Sequence, residues 1–358
     1  MPEDDEKYMA TALDLALSFP FTAPNPRVGA VVVRDGTVIG TGVHRGPGTA
    51  HAEADALDGI DAAGATLYVN LEPCMHDGRT PPCAPRVVTA GVARVVGAVE
   101  DPDPRVAGRG FEYLRSHDVG VTTGVLADGA RDVNEAYLHH RRTGRPLVRL
   151  KLALTLDGRL AARDGSSRWI TGPETRAQVH VRRALAGAVL VGAGTVETDD
   201  PLLTSRDAGA LRQPLRVVAD SSGRTRPTAR LFDGGNVVMT TTARCPHEVQ
   251  VAWKGAGAEV AVLPGSEGVD LGALLDLLGA RDVIEVFCEG GARLATALIA
   301  HDLVDRLDVH YGPVLVGSGP ALGEMGVGSM ADARRWRMET VERAGDDVMI
   351  SLVRAGGS

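Results

Sequence analysis

Apolar positions along the chain alternate between two periods, and each switch marks a new element. Met9, Leu13, Ala16 and Leu17 share one face of a 3.6-residue repeat, which predicts an amphipathic helix over residues 4–19. Val28–Val33 and Thr37–Val43 are β-branched runs on either side of Asp35-Gly36, a two-residue hairpin signal. The pattern then predicts a short helix from about Ala50, a strand over Ala65–Leu71, a helix from about Cys83 and a strand over Arg94–Val99. A helix near Gly108–His117 and a strand over Val119–Thr123 complete this half. Helices alternating with strands imply an α/β fold whose sheet is covered on both faces.

The pattern breaks at His139-His140-Arg141-Arg142-Thr143-Gly144-Arg145-Pro146. This stretch is polar, basic and closed by Gly and Pro, as a solvated linker would be. It divides the chain into expected domains over residues 1–145 and 146–358. Leu147–Leu154 is a continuous apolar strand interrupted by Lys151. A helix over Pro173–Leu185 and strands near 188–191, 215–219, 236–239, 258–262 and 283–287 follow. A helix over 292–300 and strands at 306–311 and 346–353 end a second α/β run.

Composition supports two globular domains: 358 residues, at about 150 per domain, with 44% of them hydrophobic. A net charge of −8 argues against a general nucleic-acid binder. The acidic start, Met1-Pro2-Glu3-Asp4-Asp5-Glu6, is unlike a secretory leader, and no apolar run approaches the ~18 residues of a membrane span. Four cysteines in so long a chain make no disulfide framework. A cytoplasmic protein with no membrane or nucleic-acid partner is expected. Lysine occurs only at positions 7, 151 and 254, so a lysine kept inside an apolar strand stands out.

His51-Ala52-Glu53 opens a helix, and Glu72-Pro73-Cys74 ends a strand about twenty residues later. This is the order of a zinc deaminase signature, H-x-E followed by P-C-x-x-C. One imidazole and two thiolates hold zinc and leave a fourth position for water, whose pKa the metal brings toward neutrality. Glu53 would carry the water's proton to the departing amine. The second cysteine of C-x-x-C is missing, since Asp77 stands in its place. Either an enlarged loop brings Cys83 to the metal, or His76 or Asp77 substitutes; Gly78 and Pro81-Pro82 suit a shaped loop and favour Cys83. A closed structural zinc site is the competing reading, and Glu53 argues against it.

These residues, with Pro24-Asn25-Pro26-x-Val28-Gly29 and His76-x-Gly78-Arg79-Thr80-Pro81-Pro82-Cys83, resemble the bifunctional deaminase–reductases of riboflavin biosynthesis. In that family the longer spacing between the cysteines is normal, which implies His51, Cys74 and Cys83 as zinc ligands. Asp101-Pro-Asp-Pro-Arg-Val-Ala-Gly-Arg-Gly110 extends the likeness, with Asp103 where the family usually has Asn. The resemblance implies substrate contacts from Asn25, His44 and Arg79. In the second half, Lys151-Leu-Ala-Leu-Thr155-Leu-Asp157-Gly158, Ser167-Arg-Trp169, Gly194-Thr195, Thr198-Asp199-Asp200-Pro201-x-Leu203-Thr204 and Glu289-Gly290-Gly291 look like the family's reductase.

For that half the resemblance implies a dihydrofolate-reductase-like fold and NADPH. The first half would be a cytidine-deaminase-like three-layer domain. Lys151 and Glu289 would belong to the hydride-transfer site, and a salt bridge between them is the structural alternative. Ala153, Trp169, Thr195, Asp199, Ser221, Gly290 and Gly291 would meet the cofactor. Ser167, Arg183, Leu203, Arg206 and Glu289 would meet a phosphorylated pyrimidine substrate. Gly290-Gly291 before a helix offers bare N–H groups to phosphate, and a guanidinium binds phosphate as a fork. A Rossmann fold is disfavoured, because Glu197 takes the third glycine's place in Gly192-Ala-Gly194. A homo-oligomer, dimer or tetramer, is expected. The rival classes are a nucleoside or tRNA deaminase, which predicts the short C-x-x-C spacing, and a structural zinc domain joined to a regulatory nucleotide-binding module.

Overall fold

A computed structural model describes residues 2–75, 80–206, 209 and 212–355. It divides into two compact units, Met1–Gly144 and Arg145–Ser358. The first contains α1 (Pro2–Ser18), β1 (Gly29–Arg34), β2 (Thr37–Val43), α2 (Ala52–Ala56), β3 (Thr66–Leu71), α3 (Cys83–Thr89), β4 (Arg94–Val99), α4 (Arg109–Ser116), β5 (Gly120–Thr123), α5 (Ala127–Val133) and α6 (Glu135–Thr143). Its strands lie in the order β2-β1-β3-β4-β5, with β1 antiparallel to both neighbours and β3, β4 and β5 parallel. Asp35 and Gly36 both have left-handed φ, 51° and 74°, the backbone a two-residue hairpin turn requires.

Two glycines decide how helices meet this sheet. A Cβ at Gly29 would stand 2.1 Å from the carbonyl oxygen of Ala12, and one at Gly42 would stand 2.1 Å from that of Ala52. Gly42 pairs with Ala30, so Gly29 and Gly42 face opposite sides and α1 and α2 cover opposite faces. His51 is the N-cap of α2 and Glu53 lies in its first turn. The backbone contact at Gly42 therefore sets where both stand.

Residues 139–143 are not a solvated linker but the end of α6. Tyr137, Leu138 and His140 bury one face, and the chain leaves through left-handed Gly144. Basic residues in a last turn complement the helix dipole, which is why the stretch reads as polar yet is helical.

The second unit contains β6 (Leu147–Leu154), α7 (Pro173–Leu185), β7 (Ala188–Gly192), α8 (Ala193–Asp199), β8 (Leu215–Ala219), β9 (Val237–Thr241), α9 (His247–Gly255), β10 (Glu259–Val262), α10 (Leu271–Gly279), β11 (Glu285–Cys288), α11 (Ala292–Ala300), β12 (Arg306–Tyr311), β13 (Trp336–Ala344) and β14 (Asp347–Arg354). The nine strands run β10-β9-β8-β7-β11-β6-β12-β14-β13. All neighbours from β10 to β12 are parallel, and β14 and β13 add an antiparallel edge. Val148, Leu150, Leu152 and Leu154 of β6 join one core with Leu274 and Leu278 of α10 and Leu294 and Leu298 of α11. Arg149, Lys151 and Ala153 alternate to the other face. Lys151 thus leaves the apolar pattern of its strand intact.

Chain order also locates a crevice. β7 leads outward to β8, whereas β11, paired to β7, leads across β6 to β12. Connections that part at the carboxyl ends of neighbouring parallel strands leave room for a ligand. Among the described residues, no helix is long and apolar enough to cross a membrane.

Candidate functional site

In the first unit His51, Cys74 and Cys83 present ligand atoms that all lie within 4.8 Å of one another. Nδ1 of His51 is 3.4 Å from Cys74 Sγ and 3.3 Å from Cys83 Sγ. Its other nitrogen, Nε2, lies 3.1 Å from Thr80 Oγ1. Cys83 begins α3, and its backbone N–H donates to Cys74 Sγ at 3.4 Å. The Cys83–Cys74 hydrogen bond holds the Cys74 thiol well below the usual thiol range, and the same bond pushes Cys83 upward. An imidazole and two thiols, one of them drawn toward the thiolate, are a donor set that suits zinc and leaves one tetrahedral position open.

Glu53 is buried beside this cluster, and burial, followed by the charge of Cys74, raises its pKa to about 7. His44 is buried too, its ring edge-on to His51 with centroids 5.2 Å apart. Nδ1 of His44 donates to the Ala50 carbonyl at 2.9 Å, so Nε2 accepts from the Asn25 amide at 2.9 Å. Asn25, His44, His51 and Glu53 therefore form one continuous wall with the cysteines. Arg79 and the alternative ligands His76 and Asp77 lie outside the described residues.

Glu72 is a component that the motif contains but spacing does not explain. Its buried carboxylate accepts four backbone N–H groups, from Asp101 at 3.2 Å, Gly108 at 2.9 Å, Gly110 at 2.8 Å and Phe111 at 3.2 Å. A Cβ at Gly110 would stand 2.0 Å from the Pro73 carbonyl oxygen, so only glycine lets the first turn of α4 close on the residue before Cys74. Asp101 in turn accepts from the N–H of Asp103. Arg105 grips Asp103 at 2.6 and 2.9 Å, and this hydrogen-bonded guanidinium lowers its pKa to about 2.

In the second unit a cavity of about 440 Å³ opens at the carboxyl ends of β6, β7 and β11. Lys151, Ala153, Ser167, Trp169, Arg183 and Thr195 line it, together with Asp199, Leu203, Arg206, Glu289, Gly290 and Gly291. Ser221 is not among its lining residues; its hydroxyl accepts the N–H of Val269 at 3.2 Å. Glu289 does not pair with Lys151. Arg183 binds it twice, at 2.5 and 2.9 Å, and also donates to the Thr204 carbonyl. Lys151 makes no hydrogen bond or ion pair among the described residues, and burial lowers its pKa against the pull of Glu289.

The indole of Trp169 is 65% exposed and lies at this cavity, with the Arg176 guanidinium 4.2 Å from a ring centroid. Gly291, the N-cap of α11, donates its N–H to Thr195 Oγ1 at 3.1 Å. An open aromatic face and glycines at a helix N-terminus fit a planar, phosphorylated cofactor. Arg176, His180 and Arg230 also line the cavity. The sequence carried no signal for them beyond their charge.

A His/Cys/Cys centre on a cytidine-deaminase-like unit and a cavity over a dihydrofolate-reductase-like sheet define a two-domain deaminase–reductase. Residues 2–99 match the cytidine and deoxycytidylate deaminase zinc-binding region, and residues 146–350 match the RibD C-terminal domain. The chain is 40% identical to the riboflavin biosynthesis protein RibD of Escherichia coli, over 98% of this chain and 100% of that one. It is 39% identical to the Aquifex aeolicus protein, over 98% and 99%. The solved Acinetobacter baumannii RibD superposes with a TM-score of 0.92 at 36% identity, covering 99% of this chain and 100% of that one. A Thermotoga maritima diaminohydroxyphosphoribosylaminopyrimidine deaminase/5-amino-6-(5-phosphoribosylamino)uracil reductase superposes at 0.88 with 33% identity, covering 99% of each. The chain belongs to the RibD family, the bifunctional deaminase/reductases of riboflavin biosynthesis.

Proposed function

We propose that the first unit hydrolyses an amino group from 2,5-diamino-6-(ribosylamino)-4(3H)-pyrimidinone 5'-phosphate. The second unit then reduces the ribosyl group of 5-amino-6-(5-phosphoribosylamino)uracil to ribityl with NADPH. The observation that carries this reading is the convergence of His51, Cys74 and Cys83 within 4.8 Å, with Glu53 buried beside them. Zinc held by those three side chains supplies a Lewis acid that makes water nucleophilic near neutral pH. Glu53, with its pKa near 7, is poised to take a proton and return it to the leaving amine. Asn25 and His44, locked to each other at 2.9 Å, are placed to orient the pyrimidine edge.

NADPH supplies hydride in the second unit. Reduction also takes up a proton, and Lys151, unpaired and with a lowered pKa, is the group placed to give it. Glu289, fixed by Arg183, orients the sugar. Trp169, Thr195, Asp199, Gly290, Gly291 and Ala153 would hold the cofactor, and the resemblance adds Ser221, which does not line the cavity. Ser167, Leu203 and Arg206 would hold the sugar phosphate. Exposed Met338 and Val341 on edge strand β13 support a homo-oligomer, and a cytoplasmic location fits the soluble substrates.

The test gives the purified protein the diaminopyrimidinone substrate and NADPH, and follows ammonia and NADPH together. Ammonia released first, with NADPH loss following, supports both halves. Ammonia without NADPH loss overturns the reductase reading, and neither signal from zinc-loaded protein overturns the substrate.

A further inference from the structure

His180 and Arg206 form a two-donor gap in the wall of the second unit's cavity. The backbone N–H of Arg206 donates to His180 Nδ1 at 3.3 Å, so in the neutral imidazole the single proton stands on Nε2. That Nε2 lies 3.4 Å from Nη2 of Arg206. In that tautomer both atoms are donors, and an anion between them would accept from each. The His180 ring also meets the backbone of Thr204, and Arg206 has no carboxylate partner among the described residues. By contrast, Arg183 on the same helix is neutralised by Glu289.

The gap is built into the fold. Ser205 Oγ donates to the His180 carbonyl at 2.9 Å, and Gln213 holds both the N–H and the carbonyl of Ser205, at 2.8 and 3.0 Å. Thr204 is tied to Arg183 at 3.1 Å. The loop over 204–206 is thereby fastened to α7, and two N–H donors converge on one point. An imidazole and a guanidinium that converge with no carboxylate between them suit an oxyanion, because each can then make a charge-assisted bond.

We infer that His180 is a phosphate ligand, its Nε2–H and the Arg206 guanidinium together gripping the 5'-phosphate of the sugar that this cavity reduces. The inference rests on the reading that the substrate phosphate binds at Arg206. NADPH carries phosphate as well, so the test separates the two sources.

Three variants are compared by steady-state reduction of the deaminated substrate, with separate titrations of substrate and NADPH. His180→Asn keeps an acceptor at the Nδ1 position and loses the Nε2 donor, whereas His180→Gln returns a donor near Nε2. His180→Asn is expected to raise the substrate KM by about 10- to 100-fold, the size of one hydrogen bond to a charged group. The NADPH KM and kcat stay within about threefold, and His180→Gln recovers much of the loss. Inorganic phosphate, used as a competitive inhibitor, weakens in parallel. A rise in the NADPH KM with the substrate KM unmoved overturns the assignment. Arg206→Met raising the substrate KM while His180→Asn does not overturns it too, and leaves the reading at Arg206 standing. If neither variant moves the substrate KM, the reading at Arg206 itself has failed. Should His180→Asn lose NADPH binding altogether, the His180→Gln variant decides: a normal substrate KM supports the ligand role and a high one removes it.

Discussion

The metal-ligand cluster of the first unit draws its donors and Glu53 from the short stretch between His51 and Cys83. The cavity of the second unit gathers Lys151, Arg183, Arg206 and Glu289 from four separate elements. The first site is held by ends of helices: His51 caps α2, Cys83 starts α3, and Cys74 accepts the N–H of Cys83. The second is held by sheet order, because only the insertion of β11 between β7 and β6 brings Glu289 beside Lys151. The difference is also electrostatic. The thiols and Glu53 are poised by one another, whereas the second site pairs one cation, Arg183, with Glu289 and leaves Lys151 and Arg206 without an ion-pair partner among the described residues. A compact cluster should fail all at once, and a dispersed cavity should fail one function at a time.

The sharpest way to break this comparison is Glu53→Gln. Ammonia release is expected to fall by about 10³-fold, within the 10²–10⁴ range of general acid–base catalysis. Metal analysis should find the zinc retained, and reduction of the deaminated substrate should continue unchanged. Reduction falling along with ammonia release would mean that the two sites are not separable.

Next in size is Lys151→Met, expected to slow reduction by about 10²-fold, the scale of one lost charge-stabilising donor. Its effect on stability has the opposite sign. The folded pKa of Lys151 lies below its ordinary value of 10.5, so its contribution is most favourable above that pH and is lost as pH falls through the folded value. At neutral pH the lysine is therefore a burden, and the thermal midpoint of the variant should be unchanged or higher. A lower midpoint would indicate a structural salt bridge instead.

Smallest is Asp103→Asn, which installs the residue usual in the family. The pKa of Asp103 is lowered from 3.8 to about 2, so its stabilisation is present above pH 3.8 and fades as pH falls toward 2. Because Arg105 is largely exposed, the loss at pH 7 should be about 1 kcal/mol. Acid titration of the unfolding midpoint should show a shallower fall for the variant. An identical acid profile would remove Asp103 from the loop's support.

Local chemistry made the first site legible. Asp35-Gly36 specifies its own turn, and His51, Glu53, Cys74 and Cys83 sit at element ends that their neighbours mark. Glu72 was hidden because its four partners are backbone amides about thirty to forty residues downstream, which no side-chain pattern betrays. α6 was misread because its buried face is narrow and its polar face faces solvent. Strand β13 escaped for a related reason: it is an edge strand with nearly all its side chains exposed, so it carries no apolar alternation. In the second site the resemblance supplied residues that the strand pattern alone left unassigned. The pairing of Glu289 with Arg183, rather than Lys151, depends on helix α7 lying against the sheet, which no spacing encodes.

The most direct test of the central claim, two separable chemistries in one chain, is zinc removal. The whole protein is stripped with a chelator, then assayed for ammonia release from the diaminopyrimidinone and for NADPH oxidation on the deaminated substrate. The account predicts that ammonia release disappears and returns with added zinc, while NADPH oxidation holds throughout. Ammonia release that survives complete zinc loss, or NADPH oxidation that vanishes with the metal, would contradict it.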